Sequence, residues 1–82
     1  MMKILYFGRL SDQVGMREES LELPADITNV KALQIWLDDT HGLGGLLCDT
    51  TIKIMVDQAL IVGDLPLMGT EEIGFLPPVG GG

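Results

Sequence analysis

The scarcity of several residue types narrows the functions that this chain can have. Its 82 residues include one cysteine, Cys48, one histidine, His41, and only 5% aromatic residues. A single cysteine excludes an intrachain disulfide and a cysteine-based zinc cluster, and it fits a reducing compartment. The sequence also lacks an apolar run of about 18 residues and a cleavable leader pattern. These absences predict a cytoplasmic protein with no membrane partner.

Positive charge is the other scarce property. Five Lys and Arg residues stand against twelve Asp and Glu residues, which gives a formal net charge of −7. An acidic surface repels phosphate backbones, so we expect no nucleic-acid partner. The same surface is attracted to basic protein surfaces, although solubility alone can also account for its sign. The charge therefore leaves the identity of a protein partner open.

Apolar residues make up 46% of the chain, which is enough for the core of one domain. Hydrophobic periodicity predicts one main helix, which follows Thr28 as N-cap and ends at Gly42. The predicted strands cover residues 2–7, 18–23, 52–56, 60–62 and 72–76. This order predicts an α+β fold of the β-grasp (ubiquitin-like) type, with a mixed sheet of about five strands and the helix packed across it. We expect the last strand to be central and parallel to the first.

No self-contained active site is evident in the sequence. His41 is expected to interact with the dipole at the helix end, and Cys48, in an apolar stretch, is expected to be buried. We predict core positions for Trp36, Met55 and Met68. Adjacent acidic residues are expected to be solvated surface: Glu18-Glu19, Asp38-Asp39 and Glu71-Glu72. The sequence therefore predicts no bound cofactor and no metal site in this chain.

The last six residues of the sequence are the most distinctive segment: Pro77-Pro78-Val79-Gly80-Gly81-Gly82. Glycine has no Cβ and can pass through a slot too narrow for other residues, while the prolines stiffen the exit. We therefore predict a β-grasp domain over residues 1–78 and a flexible tail over residues 79–82, which spans about 13–14 Å when extended. A partner enzyme could activate the carboxylate with ATP. An inert, frayed terminus is the alternative interpretation.

Residues 75–82, Phe-Leu-Pro-Pro-Val-Gly-Gly-Gly, resemble the C-terminal signature of the MoaD family, the small subunits of molybdopterin synthase. Residues 4–10, the pair Val14-Gly15 and residues 56–60 are also similar to that family. The resemblance implies an ubiquitin-like sulfur carrier. An E1-like enzyme would adenylate Gly82, which follows Gly81, and a sulfurtransferase would convert it to a thiocarboxylate. This group would donate sulfur to cyclic pyranopterin monophosphate and form the dithiolene of molybdopterin.

The resemblance also implies the partners of the chain. Two small and two large subunits of molybdopterin synthase would form a heterotetramer, in which this chain takes part in catalysis only as the sulfur-donating subunit. The implied partner-binding residues lie on the body and at the start of the tail: Phe7, Leu60, Phe75, Pro77, Pro78, Val79 and Gly80.

Three alternatives stay open at this stage. The chain could be a thiamin-thiazole sulfur carrier, a ubiquitin-related modifier that is conjugated to lysines, or a β-grasp interaction module with an inert tail. The sequence departs from the MoaD pattern at Ser11-Asp12, where many members carry Arg-Glu, and at Gly80, where a larger residue is usual. The first departure removes the arginine of a salt bridge that the resemblance implies, and the second would make the tail less rigid.

Overall fold

The computed structural model describes residues 1–78. Residues Val79, Gly80, Gly81 and Gly82, which we predict to form the tail, lie outside the described residues, so the boundary at residue 78 stays a prediction. The elements in chain order are β1 (Met2–Tyr6), α1 (Arg9–Val14), β2 (Glu18–Leu21), α2 (Val30–His41), a 3-10 turn (Leu46–Cys48), β3 (Lys53–Val56), β4 (Ala59–Ile61) and β5 (Glu72–Leu76).

The five strands form one mixed sheet in the order β2-β1-β5-β3-β4. The last strand, β5, is central, and it runs parallel to β1 and antiparallel to β3. Two antiparallel hairpins flank it, β1–β2 on one side and β3–β4 on the other. This arrangement confirms the predicted β-grasp fold and the central position of the last strand.

The core lies between α2 and one face of the sheet. In β1, Met2, Ile4 and Tyr6 are buried, whereas Lys3 is exposed and Leu5 is half-buried. The alternation follows from the two-residue period of a strand, which sends successive side chains to opposite faces. The buried residues of β1 and β5 pack in one cluster with those of α2. The side chains on the opposite face of the sheet therefore lie outside this core.

Helix α2 has the apolar stripe that the sequence predicts. Val30, Leu33 and Leu37 are fully buried on its inner side. The N-cap is Asn29 rather than Thr28, because the Asn29 side-chain oxygen accepts a hydrogen bond of 2.9 Å from the Ala32 amide. Both residue types can cap a helix, so the pattern placed the start one residue too early. Gly42 ends the helix in the left-handed conformation, as predicted.

Asp38 corrects one of the surface predictions. Its side chain is buried, and its carboxylate accepts hydrogen bonds from the Gly45 and Leu47 amides at 2.8 and 2.9 Å. These amides belong to the 3-10 turn and the residue before it. Asp38 therefore fastens the segment that follows α2 to the end of the helix, and it is not solvated surface.

We expect Asp38→Ala to lower the free energy of unfolding by about 2 kcal/mol, because two amides lose a charged acceptor. Urea denaturation followed by circular dichroism measures the change. Asp39→Ala is the matched control, since Asp39 is the exposed neighbour on the same helix, and it should show no measurable loss. Equal losses in the two variants would contradict the structural role of Asp38.

Candidate docking face and tail exit

The sheet face opposite α2 carries a continuous apolar surface. The strand register aligns Leu5 of β1 with Gly74 of β5, and Met55 of β3 with both Gly74 and Leu60 of β4. We call this surface the open face, and its residues are Leu5, Phe7, Met55, Leu60, Gly74 and Leu76. Leu60 is 65% exposed and Phe7 is 37% exposed. Apolar residues that are exposed together in this way are typical of a protein interaction site.

Gly74 determines the shape of the open face. A Cβ atom placed on Gly74 would lie 3.0 Å from Cε2 of Phe7 and 3.3 Å from Cε of Met55. The Phe7 ring and the Met55 side chain therefore converge over the central strand at the one position that has no side chain. The apolar surface is continuous across β1, β5 and β3 because of this glycine.

The other end of the same face is polar. Lys3 of β1 forms an ion pair of 3.3 Å with Glu18 of β2, and both side chains are about half exposed. Such an exposed pair contributes little to stability. An apolar centre next to a polar margin is the usual layout of a protein interface, so the pair marks the limit of the open face.

The chain leaves the sheet at the Phe7 end of the open face, where the exposed Lys53 of β3 lies opposite Leu76. Strand β5 ends at Leu76, and the Phe7 amide donates a hydrogen bond of 3.0 Å to the Phe75 carbonyl beside this end. Pro77 then packs against Gly8, where an added Cβ would lie 3.0 Å from the proline Cγ and where φ is +55°. Pro77 and Pro78 are half-buried. The packing against Gly8 fixes the position of Pro77 at the end of the described chain.

Phe75 corrects the predicted set of docking residues. Its side chain is fully buried on the helix side of the sheet, where its ring stacks on Tyr6 with a centroid distance of 5.9 Å. Strand alternation explains the error, because Phe75 and Gly74 must point to opposite faces. Phe75 is therefore a core residue. Phe7 and Leu60 do lie on the open face, and their contact with a partner stays a prediction.

Sequence reasoning missed three residues of the open face: Met55, Gly74 and Leu76. Met55 was assigned to the core, but it is half-buried on the open face. Applying strand alternation to β3 and β5 separately would have identified all three, since it separates Gly74 and Leu76 from the buried Ile73 and Phe75.

His41 lies in the last turn of α2, where the sequence predicts it, and its side chain also reaches β2. Its Nε2 atom lies 2.7 Å from Oε2 of Glu19, and the Tyr6 hydroxyl donates to the same oxygen at 2.7 Å. Burial, and after it the hydrogen bond to Glu19, raises the pKa of Tyr6 well above its ordinary value. The three side chains join β1, β2 and the end of α2. This cluster is structural, and it also corrects the prediction that Glu19 is simply solvated.

Two further predictions are wrong. Cys48 is exposed rather than buried, and Met68 is 89% exposed rather than in the core. Desolvation, and after it the nearby Asp38 carboxylate, raises the pKa of the Cys48 thiol. Within residues 1–78, no group of three or more His, Cys, Asp or Glu side chains is placed to hold a metal ion. Over the same range, no helix has the length and apolar character needed to cross a membrane.

Comparison with known proteins identifies the family of the chain. The family model described as "ThiS family" matches residues 4–82. The chain belongs to the ThiS family. This ThiS-family chain is 34% identical to the molybdopterin synthase sulfur carrier subunit of Escherichia coli (strain K12), over the whole of both chains. It is 33% identical to the human protein of the same name, over 99% of this chain and 93% of that one. These relatives confirm the MoaD-family assignment made from the tail motif.

Solved structures agree with the fold of this ThiS-family chain. SAMP1 from Haloferax volcanii superimposes with a TM-score of 0.80 at 19% identity, and the match covers 99% of this chain and 98% of that one. A putative molybdopterin converting factor, subunit 1, from Pyrococcus furiosus gives a TM-score of 0.75 at 24% identity, covering 95% and 97%. At these identities the likeness supports the shared β-grasp fold and no more.

Proposed function

We propose that this chain is the sulfur carrier and small subunit of a molybdopterin synthase. The observation that carries the proposal is the adjacency of two features: the Phe7 end of the open face and the exit of the chain at Pro77. A partner that covers the open face therefore receives residues 79–82 at a fixed place on its own surface. The names of the relatives from Escherichia coli and human support the same role.

The proposed chemistry takes place on the carboxylate of Gly82. One carboxylate oxygen attacks the α-phosphate of ATP on an E1-like enzyme, which forms an acyl-adenylate and releases pyrophosphate. A hydrosulfide equivalent supplied by a sulfurtransferase then displaces AMP, and the product is a thiocarboxylate. Each thiocarboxylate delivers one sulfur to cyclic pyranopterin monophosphate and returns as a carboxylate after hydrolysis. Both sulfurs of the dithiolene would come from successive deliveries of this kind.

The described residues contribute recognition and positioning to this chemistry. Leu60 and Phe7 would dock on the large subunit, with Met55 and Gly74 between them on the open face. Pro77, held against Gly8, would set the direction in which the tail enters the active site of the partner. Residues 79–82 can span about 13–14 Å when extended, which is enough to reach a buried pocket from a docked body.

Mass spectrometry of the C-terminal peptide tests the proposal. After incubation with ATP, an E1-like activating enzyme and a sulfurtransferase from the same cell, we expect the mass increase of an oxygen-to-sulfur exchange, located at Gly82. The exchange should disappear when the large subunit and cyclic pyranopterin monophosphate are added, because the sulfur is then transferred. A peptide that keeps its original mass in the complete loading mixture would contradict the carrier role.

A ubiquitin-related protein modifier is the second candidate, and the structural likeness to SAMP1, a small archaeal modifier protein, favours keeping it. In that case the activated Gly82 would form an isopeptide bond with a lysine of another protein. The same mass experiment distinguishes the two, because conjugates of higher mass would appear instead of the exchange. A thiamin-thiazole carrier would show the exchange but would deliver sulfur to a different partner enzyme.

A further inference from the structure

The side of the sheet that bears the open face carries charges of opposite sign at its two ends. Strand alternation places Lys53 on the same side of β3 as Met55, and the strand register sets it opposite Leu76. Alternation in β5 places Glu72 on the same side as Gly74. We call the end at Leu76 and Lys53 the exit end, because the chain leaves the sheet there, and the end at Glu72 the far end.

The exit end carries a cation that has no carboxylate partner within the described chain. Lys53 is exposed, and its register partner in β5 is the apolar Leu76. No carboxylate of residues 1–78 lies within ion-pairing distance of the Lys53 amine. A charge that stays unpaired beside an apolar docking surface is available to a partner, and it attracts a partner that presents the opposite charge.

The far end carries an excess of carboxylates. Lys3 is aligned with Glu72 in the register of β1 and β5, but its amine forms the ion pair of 3.3 Å with Glu18. Asp57, in the turn after β3, brings a further carboxylate, whose Oδ1 atom accepts a hydrogen bond of 2.9 Å from the Glu72 amide. This hydrogen bond holds the Asp57 carboxylate beside Glu72. The far end therefore stays negative after Lys3 is paired.

The two ends are far enough apart to act separately on a partner. Glu72 and Leu76 are the first and last residues of β5, and the strand between them is about 13 Å long. The Debye length is about 10 Å in about 0.1 M salt, so each end is largely screened from the other. The surface between them, from Leu5 to Leu60, is apolar, and apolar contacts are non-directional. This centre cannot by itself distinguish two placements of a partner that differ by a half turn.

We propose that the charges at the exit end and the far end fix the orientation of this chain on the large subunit. A partner carboxylate pairs with Lys53, and a partner lysine or arginine pairs with Glu72 and Asp57. A half turn brings like charges together at both ends, and this repulsion excludes the wrong placement. Only the remaining placement presents the tail to the active site of the partner. The inference rests on the proposed function, because it takes the large subunit as the protein that covers the open face.

Reversal of one charge at each end tests the proposal. The full-length variants Lys53→Glu and Glu72→Lys are each mixed with the large subunit, and stopped-flow mixing measures the association rate constant. We expect each variant to associate at least about fivefold more slowly than the unaltered chain at low salt. The difference should shrink at high salt, because salt screens exposed charges. The two substitutions change the net charge in opposite directions, so a net-charge effect would slow one variant and accelerate the other.

Two matched variants on the helix side of the sheet separate the charge pattern from the net charge. Asp39→Lys changes the net charge as Glu72→Lys does, and Lys31→Glu changes it as Lys53→Glu does. Asp39 and Lys31 are both exposed on α2. Both control variants should keep the association rate constant within about twofold of the unaltered chain. Urea denaturation of every variant shows whether its effect is confined to binding.

A double variant with both Lys53→Glu and Glu72→Lys tests the orientation itself. It keeps the net charge and inverts the pattern, so it favours the half-turned placement. When this variant carries the thiocarboxylate and the large subunit is saturating, we expect single-turnover sulfur transfer to fall at least about tenfold, because the tail is then misplaced. A loss of affinity alone would not lower this rate, since the large subunit is saturating.

Four results would overturn the proposal. The first is association of Lys53→Glu and Glu72→Lys at the rates of their matched controls, and the second is full sulfur transfer by the double variant; both would leave the proposed function intact. The third is faster association of Lys53→Glu together with slower association of Glu72→Lys, which would show that only the net charge matters. The fourth is the absence of binding between the unaltered chain and the large subunit, which would contradict the proposed function itself.

Discussion

Deletion of Gly82 is expected to reduce sulfur delivery to the level seen without any carrier, and to leave the free energy of unfolding unchanged. The carboxylate that would be activated moves back by one residue, about 3.3–3.6 Å, and no longer reaches the same point in the partner. The core residues that the structure describes run from Met2 to Phe75, and the deletion leaves all of them in place. Single-turnover sulfur transfer to the large subunit and urea denaturation measure the two quantities.

The matched control for this deletion is Gly80→Ala, which changes the same segment but keeps its length and its terminal carboxylate. This variant should still show the oxygen-to-sulfur exchange at Gly82 and should still transfer sulfur. Full transfer by the shortened chain would show that the position of the terminal carboxylate is unimportant. A loss of stability of more than about 1 kcal/mol would show that the terminal residue supports the fold.

Phe75→Ala is expected to lower the free energy of unfolding by about 3–5 kcal/mol. The ring is fully buried in the central strand and stacks on Tyr6, so its removal leaves a cavity in the middle of the core. Domains of this size are stable by only about 5–15 kcal/mol, so the variant should unfold at a much lower urea concentration. Urea denaturation followed by circular dichroism measures the loss.

Phe7→Ala is the matched control, because Phe7 is the same residue type on the opposite face of the same sheet. Its ring is 37% exposed, so we expect a loss of only about 1 kcal/mol in stability. Its affinity for the large subunit should fall at least about tenfold, since exposed aromatics commonly dominate binding at interfaces. A Phe75→Ala variant that keeps its stability and loses only affinity for the large subunit would show that Phe75 is a docking residue and not a core residue.

The order of the elements and the position of β5 could be predicted from the sequence because they depend on local periodicity and on a few packing rules. Alternation along β1 and into the residue after it accounts for the burial of Tyr6 and the exposure of Phe7. For β5 the assignment of Phe75 came from the family resemblance alone. The alternation of buried Ile73 and Phe75 with Gly74 and Leu76 would have corrected it.

Other features depend on residues that are distant in the chain, and no local pattern contains them. Glu19 is 22 residues from His41 and 13 residues from Tyr6, so its partners become evident only after β1, β2 and α2 have packed. Asp38 has the composition of a surface residue, but the segment seven to nine residues later folds back onto it. Cys48 has apolar neighbours in sequence and yet lies on the outside of the turn.

The central position of β5 has a consequence for damaged protein. This strand alone connects the β1–β2 hairpin to the β3–β4 hairpin. Proteolysis just before Glu72, followed by dissociation of the cleaved segment, would leave two hairpins with no partner between them, and isolated two-stranded hairpins are marginally stable in water. Loss of this segment would remove the centre of the interaction surface together with the centre of the core. Under the proposed function, a molecule that has lost this segment would lack both its docking surface and its terminal carboxylate, so it could not occupy the partner without bringing sulfur.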